Sequence, residues 1–323
     1  MNDHILLAYG LDGQGGGETI SDETLSQKLK DEKLVWVHLD ADHLETKSWL
    51  EKEVTSLDPL LIEALLTDET RPRMTQVGEG LLLILRGVNL NANADPEDMV
   101  SIRLWVDKYR IISLIKRELK TIEDIEQRLL CNRGPKDAGE FISLLTFRLL
   151  ERMEPVLSEL DEVTDDLEEK ILENADIQLR KSIVDVRKQA IVFRRYIAPQ
   201  RDAISQLRMT EIEWLKDNQK RHLQESYNHV TRYVEDLDAI RERAQIIKDE
   251  LVNIMTDKLN RNMYVLSLIT AIFLPLGFLT GLLGINVGGI PGADANYAFL
   301  TFCGILLGLI VLQIIIFKKF KWF

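Results

Sequence analysis

The sequence predicts an α+β cytoplasmic domain, then a long stalk helix and two C-terminal transmembrane helices. Three observations carry this. Runs with strand character are confined to the first 115 or so residues, helical periodicity takes over beyond residue 137, and charge is absent from Asn262 to Ala293 and again from Ala295 to Phe317. With 323 residues, 46% of them hydrophobic, the chain is long enough for two or three structural units around a sizeable core.

Residues 1–135 form the α/β domain. LVWVHLDA (34–41), QVGEGLLLILRGVNL (76–90) and VSIRLWVDKYRIISLI (100–115) are rich in the branched and aromatic residues that suit strands. Helical patterns fall near 43–54, 58–67 and 120–131, and NANADPED (91–98) supplies a turn between the last two long runs. GQGGG (13–17) is not followed by the Lys-Ser/Thr of a phosphate loop and opens no GxGxxG helix, so a nucleotide site is not expected there.

Residues 136–216 form a helical layer of two long stretches, 137–173 and 176–207, the second carrying Pro199, which should kink or break it. A stalk helix, 217–262, follows. It has no Pro or Gly before Pro275, and Val230, Val234, Leu237, Ile240, Ala244, Ile247, Leu251 and Ile254 recur every three or four residues. Nothing stops it at the membrane, so it should continue to Leu283, about 100 Å at about 1.5 Å per residue. Its apolar stripe needs partners, which points to an oligomer.

Residues 263–283 (MYVLSLITAIFLPLGFLTGLL) and 297–317 are each long enough to cross a hydrocarbon core of about 30 Å. Lys258 and Arg261 precede the first span, Lys318, Lys319, Lys321 and Trp322 make a basic tail at 318–323, and the loop between the spans, 284–296, holds only Asp294. Positive flanks stay inside, so both termini are cytoplasmic and the loop faces out. The N-terminus lacks the basic and apolar regions of a signal peptide.

A net charge of −12 argues against nucleic acid as a partner and favours cations. The two cysteines, Cys131 and Cys303, are too far apart in sequence to suggest a disulfide framework or a zinc knot. No nucleophile and base pair is evident, so no enzyme is expected. On the first span, Asn260, Met263, Leu266 or Ser267, Thr270, Leu274, Gly277 and Thr280 lie at steps near three or four and share a face. That face suits either a hydrated path or close helix contacts.

The run MTDKLNRNMYVLSLITAIFLPLGFLTGLLGIN (255–286), a short loop and one last span resemble the CorA superfamily of divalent-cation transporters, and the organisation matches over the whole chain. Where magnesium transporters of that superfamily carry Gly-Met-Asn, this chain has Gly284, Ile285 and Asn286 before a glycine-rich stretch, which is similar to the zinc-handling ZntB branch. The resemblance implies a homopentameric funnel in a bacterial inner membrane whose first spans line a central pore. Asn260, Met263, Leu266, Thr270, Leu274 and Gly277 would then face the lumen, with Asn286 at the outer mouth touching the metal through its hydration shell. It also implies Zn²⁺ movement coupled to protons, inward by symport, with no resident cofactor; the partners are further copies of the chain, lipid, divalent cations and protons. Zinc efflux, a Mg²⁺/Co²⁺ channel of CorA type and a membrane-anchored scaffold are the alternatives. No Cys or His lies in the first span or the loop, so ligand chemistry there indicates a hydrated ion and does not itself select zinc.

Other candidates lie outside the spans. His38, Asp40, Asp42 and His43 in HLDADH could hold a metal, although a strand end with solvated acids explains them as well. His222 and His229, seven apart on the stalk, could sense pH. The acidic run 159–176 is either a solvated helix face or a cation-concentrating surface. Cys303 is a small apolar filler.

Overall fold

The computed structural model describes residues 3–55, 57–68, 70–173, 175–284, 292 and 295–319. The chain divides into two compact units, Met1–Asp249 and Glu250–Phe323.

The first unit is built on one seven-stranded sheet. Its strands are β1 (Ile5–Leu11), β2 (Gly17–Thr19), β3 (Val35–Asp40), β4 (Arg73–Val77), β5 (Gly80–Gly87), β6 (Val100–Val106) and β7 (Arg110–Ile115), in the order β2-β1-β3-β7-β6-β5-β4. Among the described residues only β3 and β7 pair in parallel. Helices cover both faces, so the inner strands are apolar runs without strict polar alternation. Along β3, Val35, Val37 and Leu39 pack with α1 (Asp22–Lys28), α2 (Leu44–Glu53) and α3 (Pro59–Leu66), while Trp36 belongs to the opposite core. That second core takes Ile125 from α4 (Lys120–Leu130), Phe141 and Leu145 from α5 (Ala138–Glu173) and Leu207 from α6 (Leu179–Met209).

Two sequence expectations resolve in local detail. The GQGGG run is the β1–β2 turn: Asp12 Oδ1 accepts from the backbone N–H groups of Gln14 (2.6 Å) and Gly16 (2.9 Å), and Gly15 sits at φ 107°, which a side chain would resist. QVGEGLLLILRGVNL is a hairpin and not one long strand, because Gly78, at φ 57°, reverses the chain between β4 and β5.

The helices run further than their prolines suggest. Pro155 lies within the 36-residue α5 and Pro199 within the 31-residue α6, and neither breaks its helix. The helix α7 runs unbroken from Asp217 to Gly284, 68 residues, past Pro275. It contributes residues 217–249 to the first unit and 250–284 to the second. In the first unit Val230, Val234, Leu237, Ile240, Ala244 and Ile247 are all buried within the single chain. Each of the Val, Leu and Ile side chains among them contributes roughly 1.5–3 kcal/mol relative to exposure. Polar ties fix the neighbours: Tyr233 Oη donates to the Leu150 carbonyl of α5 (3.4 Å), and Arg194 of α6 pairs with Asp238 (2.7 Å). The stripe therefore finds its partners inside the chain, and its apolar pattern is no argument for an oligomer.

The second unit holds the rest of α7 and α8 (Ala298–Lys319), both long and apolar enough to cross a membrane.

Candidate functional site

The face pattern of α7 in the second unit gives the candidate site its shape. Asn260, Met263, Leu266, Thr270, Leu274 and Gly277 are all exposed in the single chain. At about 100° per residue they occupy an arc of about 120°. Leu268, Ala271, Ile272, Pro275, Leu276 and Leu279 are half-buried and centre on the opposite side of the helix. Gln313 of α8 identifies what covers that second row, since its Nε2 donates to the Ala271 carbonyl at 3.1 Å. A polar side chain bonding across two apolar helices fastens them where lipid supplies no hydrophobic drive. Sequence reasoning missed Gln313, although a lone polar residue within ILLGLIVLQIIIF was the available signal.

The chemistry of the exposed arc follows from Thr270, whose Oγ1 donates to the Leu266 carbonyl (2.9 Å); Thr280, about 40° beyond the arc, is tied back in the same way to the carbonyls of Leu276 (2.9 Å) and Gly277 (3.0 Å). With its single proton committed to the backbone, each hydroxyl presents only lone pairs outward. Water held by a cation points its hydrogens away from the ion, so acceptor-only oxygens suit a hydrated cation. Thr270, Leu274 and Gly277 share a shallow groove with Phe273, Pro275 and Phe278. Gly284 ends α7; Ile285 and Asn286 lie outside the described residues.

The candidates in the first unit separate. Ser113 Oγ accepts from Trp36 Nε1 (2.8 Å), donates to the Val37 carbonyl (3.3 Å) and shares a 2.7 Å hydrogen bond with His38 Nδ1, which holds the ring in the buried core. Complete burial pushes the His38 pKa down to about 3. Asp40 Oδ1 accepts from the Asp42 backbone N–H (2.8 Å), and Asp42 pairs with Lys116 (2.5 Å). His43 caps α2, its Nδ1 accepting from Glu45 N–H (3.2 Å), and its ring lies near that of His4. HLDADH is thus not gathered into one metal group. His222 is exposed at the start of α7, and the His229 ring stands edge-on to Tyr233, 6.5 Å between centroids. In the acidic run, Asp161 (3.1 Å), Glu168 (2.9 Å) and Asp165 are tied to Arg243, which engages part of that surface's charge. Cys131 and Cys303 are free thiols.

The family model described as "CorA-like Mg2+ transporter protein" matches residues 31–319. The chain belongs to the CorA superfamily of divalent-cation transporters. The "Divalent cation transporter CmaX" of Pseudomonas aeruginosa is 38% identical, over 98% of this chain and 96% of the relative. The "Zinc transport protein ZntB" of Pectobacterium atrosepticum is also 38% identical, over 98% of this chain and 95% of the relative. Among solved structures, "structure of the full-length CmaX protein" superposes with a TM-score of 0.86 at 37% identity, covering 99% of this chain and 98% of the other. Within the CorA superfamily these likenesses agree with the ZntB branch to which the Gly284-Ile285-Asn286 sequence pointed.

Proposed function

We propose that the chain is one subunit of a homopentameric transporter that carries Zn²⁺ into the cytoplasm of a bacterium, coupled to protons, across the inner membrane. The observation that carries the reading is the two-faced α7. One face packs with α8, and the opposite face, Asn260 to Gly277, is polar or small at intervals and has no partner within the single chain among the described residues. Five such faces turned to a common axis would line a path of back-bonded threonine oxygens, which favours an ion that keeps its water. In this arrangement Asn286 forms a ring of carboxamide oxygens at the outer mouth, and both termini lie in the cytoplasm.

Zinc rather than magnesium is favoured by the naming of the ZntB relative and by Gly284-Ile285-Asn286 in place of Gly-Met-Asn. Purified protein in liposomes, loaded with a pH gradient and external ⁶⁵Zn, tests the whole reading. Uptake should follow the gradient, collapse with a protonophore and withstand excess Mg²⁺. Gradient-independent uptake defeats the proton coupling, and competition by Mg²⁺ at equal concentration defeats the zinc assignment.

A further inference from the structure

The start of β1 and the first turn of α2 bring together side chains that transport does not use. His4, just before β1, is 2% exposed, and neither ring nitrogen has a hydrogen-bond partner. Polar atoms buried without partners are costly, and the few that persist call for an explanation. Glu45 Oε2 lies 3.4 Å from His4 Nδ1, and the His43 ring centroid lies 5.6 Å from that of His4. One donor atom from each of His4, His43 and Glu45 falls within 4.8 Å of the others, the one such group among the described residues.

We propose that His4, His43 and Glu45 form a divalent-metal site in the first unit, separate from the transport path, for an imidazole-preferring ion such as Zn²⁺ or Co²⁺. Two imidazole nitrogens and one carboxylate match the donors that zinc and its neighbours select, whereas Mg²⁺ prefers oxygen alone and keeps much of its water. Three protein ligands leave a fourth position for water, the arrangement of an exchangeable site rather than a closed structural one. Exposure agrees. His4 is enclosed, but the Glu45 side chain is 68% exposed, so an ion reaches the group from the Glu45 side.

Occupancy is linked to the first turn of α2. A neutral His43 that accepts from Glu45 N–H at Nδ1 keeps its proton on Nε2. Ligation through Nδ1 takes the same lone pair, and ligation through Nε2 moves the proton to Nδ1. Either way the ion and the His43 cap exclude each other. The His4 carbonyl accepts from Asp40 N–H at 3.0 Å, so the ion would join the β1–β3 edge to α2 while withdrawing that helix's own cap. This inference stands apart from the transport reading and survives if that reading fails.

The test uses the full-length, metal-stripped protein in detergent, titrated with Zn²⁺ against a chromophoric chelator, with Co²⁺ absorption as a second readout. His4→Leu keeps an apolar filler, His43→Asn keeps a side-chain acceptor at the helix start, and Glu45→Gln alters an exposed group only. The native chain should hold one tight equivalent that millimolar Mg²⁺ does not displace. Each variant should weaken it by about tenfold or more, with an unchanged melting temperature in the absence of metal. If His4→Leu fails to fold, the other two variants decide. The proposal is overturned if the native chain binds no tight equivalent, if Mg²⁺ displaces it, or if His43→Asn and Glu45→Gln bind like the native protein.

Discussion

Asn286 is the residue on which the transport reading turns. Asn286→Leu keeps roughly the side-chain volume and removes every hydrogen-bonding group, so ⁶⁵Zn flux should fall by about tenfold or more, or about 1.4 kcal/mol of added barrier. Flux at the native rate with equal incorporation would make the loop a connector only. Cys303→Ala should be nearly silent in the same assay. His38 supports a prediction of another kind. The unfolded chain protonates this imidazole near pH 6.5 and the folded chain only near pH 3. Its contribution is therefore full above pH 6.5 and is lost as the pH falls toward 3, at about 1.4 kcal/mol per unit within that window. Denaturant titrations at pH 7 and 4.5 should show the native protein losing roughly 2–3 kcal/mol more than His38→Gln. Equal losses would show that His38 titrates in the folded state.

At the scale of elements, α7 is buried along one stripe in the first unit. Leu237→Ala there should cost about 2–5 kcal/mol, whereas Ile246→Ala, at a position 61% exposed, should cost less than about 0.5 kcal/mol. Urea denaturation separates the two cases, and equal costs would contradict the assignment of faces. The stripe was legible because a three-to-four spacing survives single-sequence inspection. The strand at 34–41 was legible as a continuous apolar run, whereas 100–115, read as one long strand, is the antiparallel hairpin of β6 and β7, because Asp107 Oδ1 accepts from Tyr109 and Arg110 N–H and turns the chain between them. By contrast β1, ILLAYGL, has a burial order that does not alternate cleanly, and it went unmarked. The hairpin inside 76–90 hinged on one glycine conformation. HLDADH misled because adjacency in sequence is not adjacency in space: the ring that faces His43 belongs to His4, far upstream, and periodicity carries no sign of that pairing. The exposed arc of α7 was legible as a spacing, but its meaning required α8, whose Gln313 shows which side is already taken.

For the whole molecule, the division at Asp249 predicts that residues 1–249 fold without lipid and unfold cooperatively in denaturant, since both cores of the sheet lie within that stretch. A broad, non-cooperative transition would refute this. Native mass spectrometry of the full chain should report five copies; a monomer would remove the central path. The sheet also fixes an order of assembly. Strands β4 to β7 form a local antiparallel meander, β1 pairs antiparallel with both β2 and β3, and the parallel β3–β7 seam joins the two sets. The His38–Ser113 bond crosses that seam between residues 75 apart in sequence. Closing so long a loop takes more time than forming either hairpin set. During synthesis the first ribbon must therefore wait, with the β3 edge unpaired, until the chain has been made through residue 115. That delay makes the β3 edge the place where a chaperone would be most useful and a stalled ribosome most damaging.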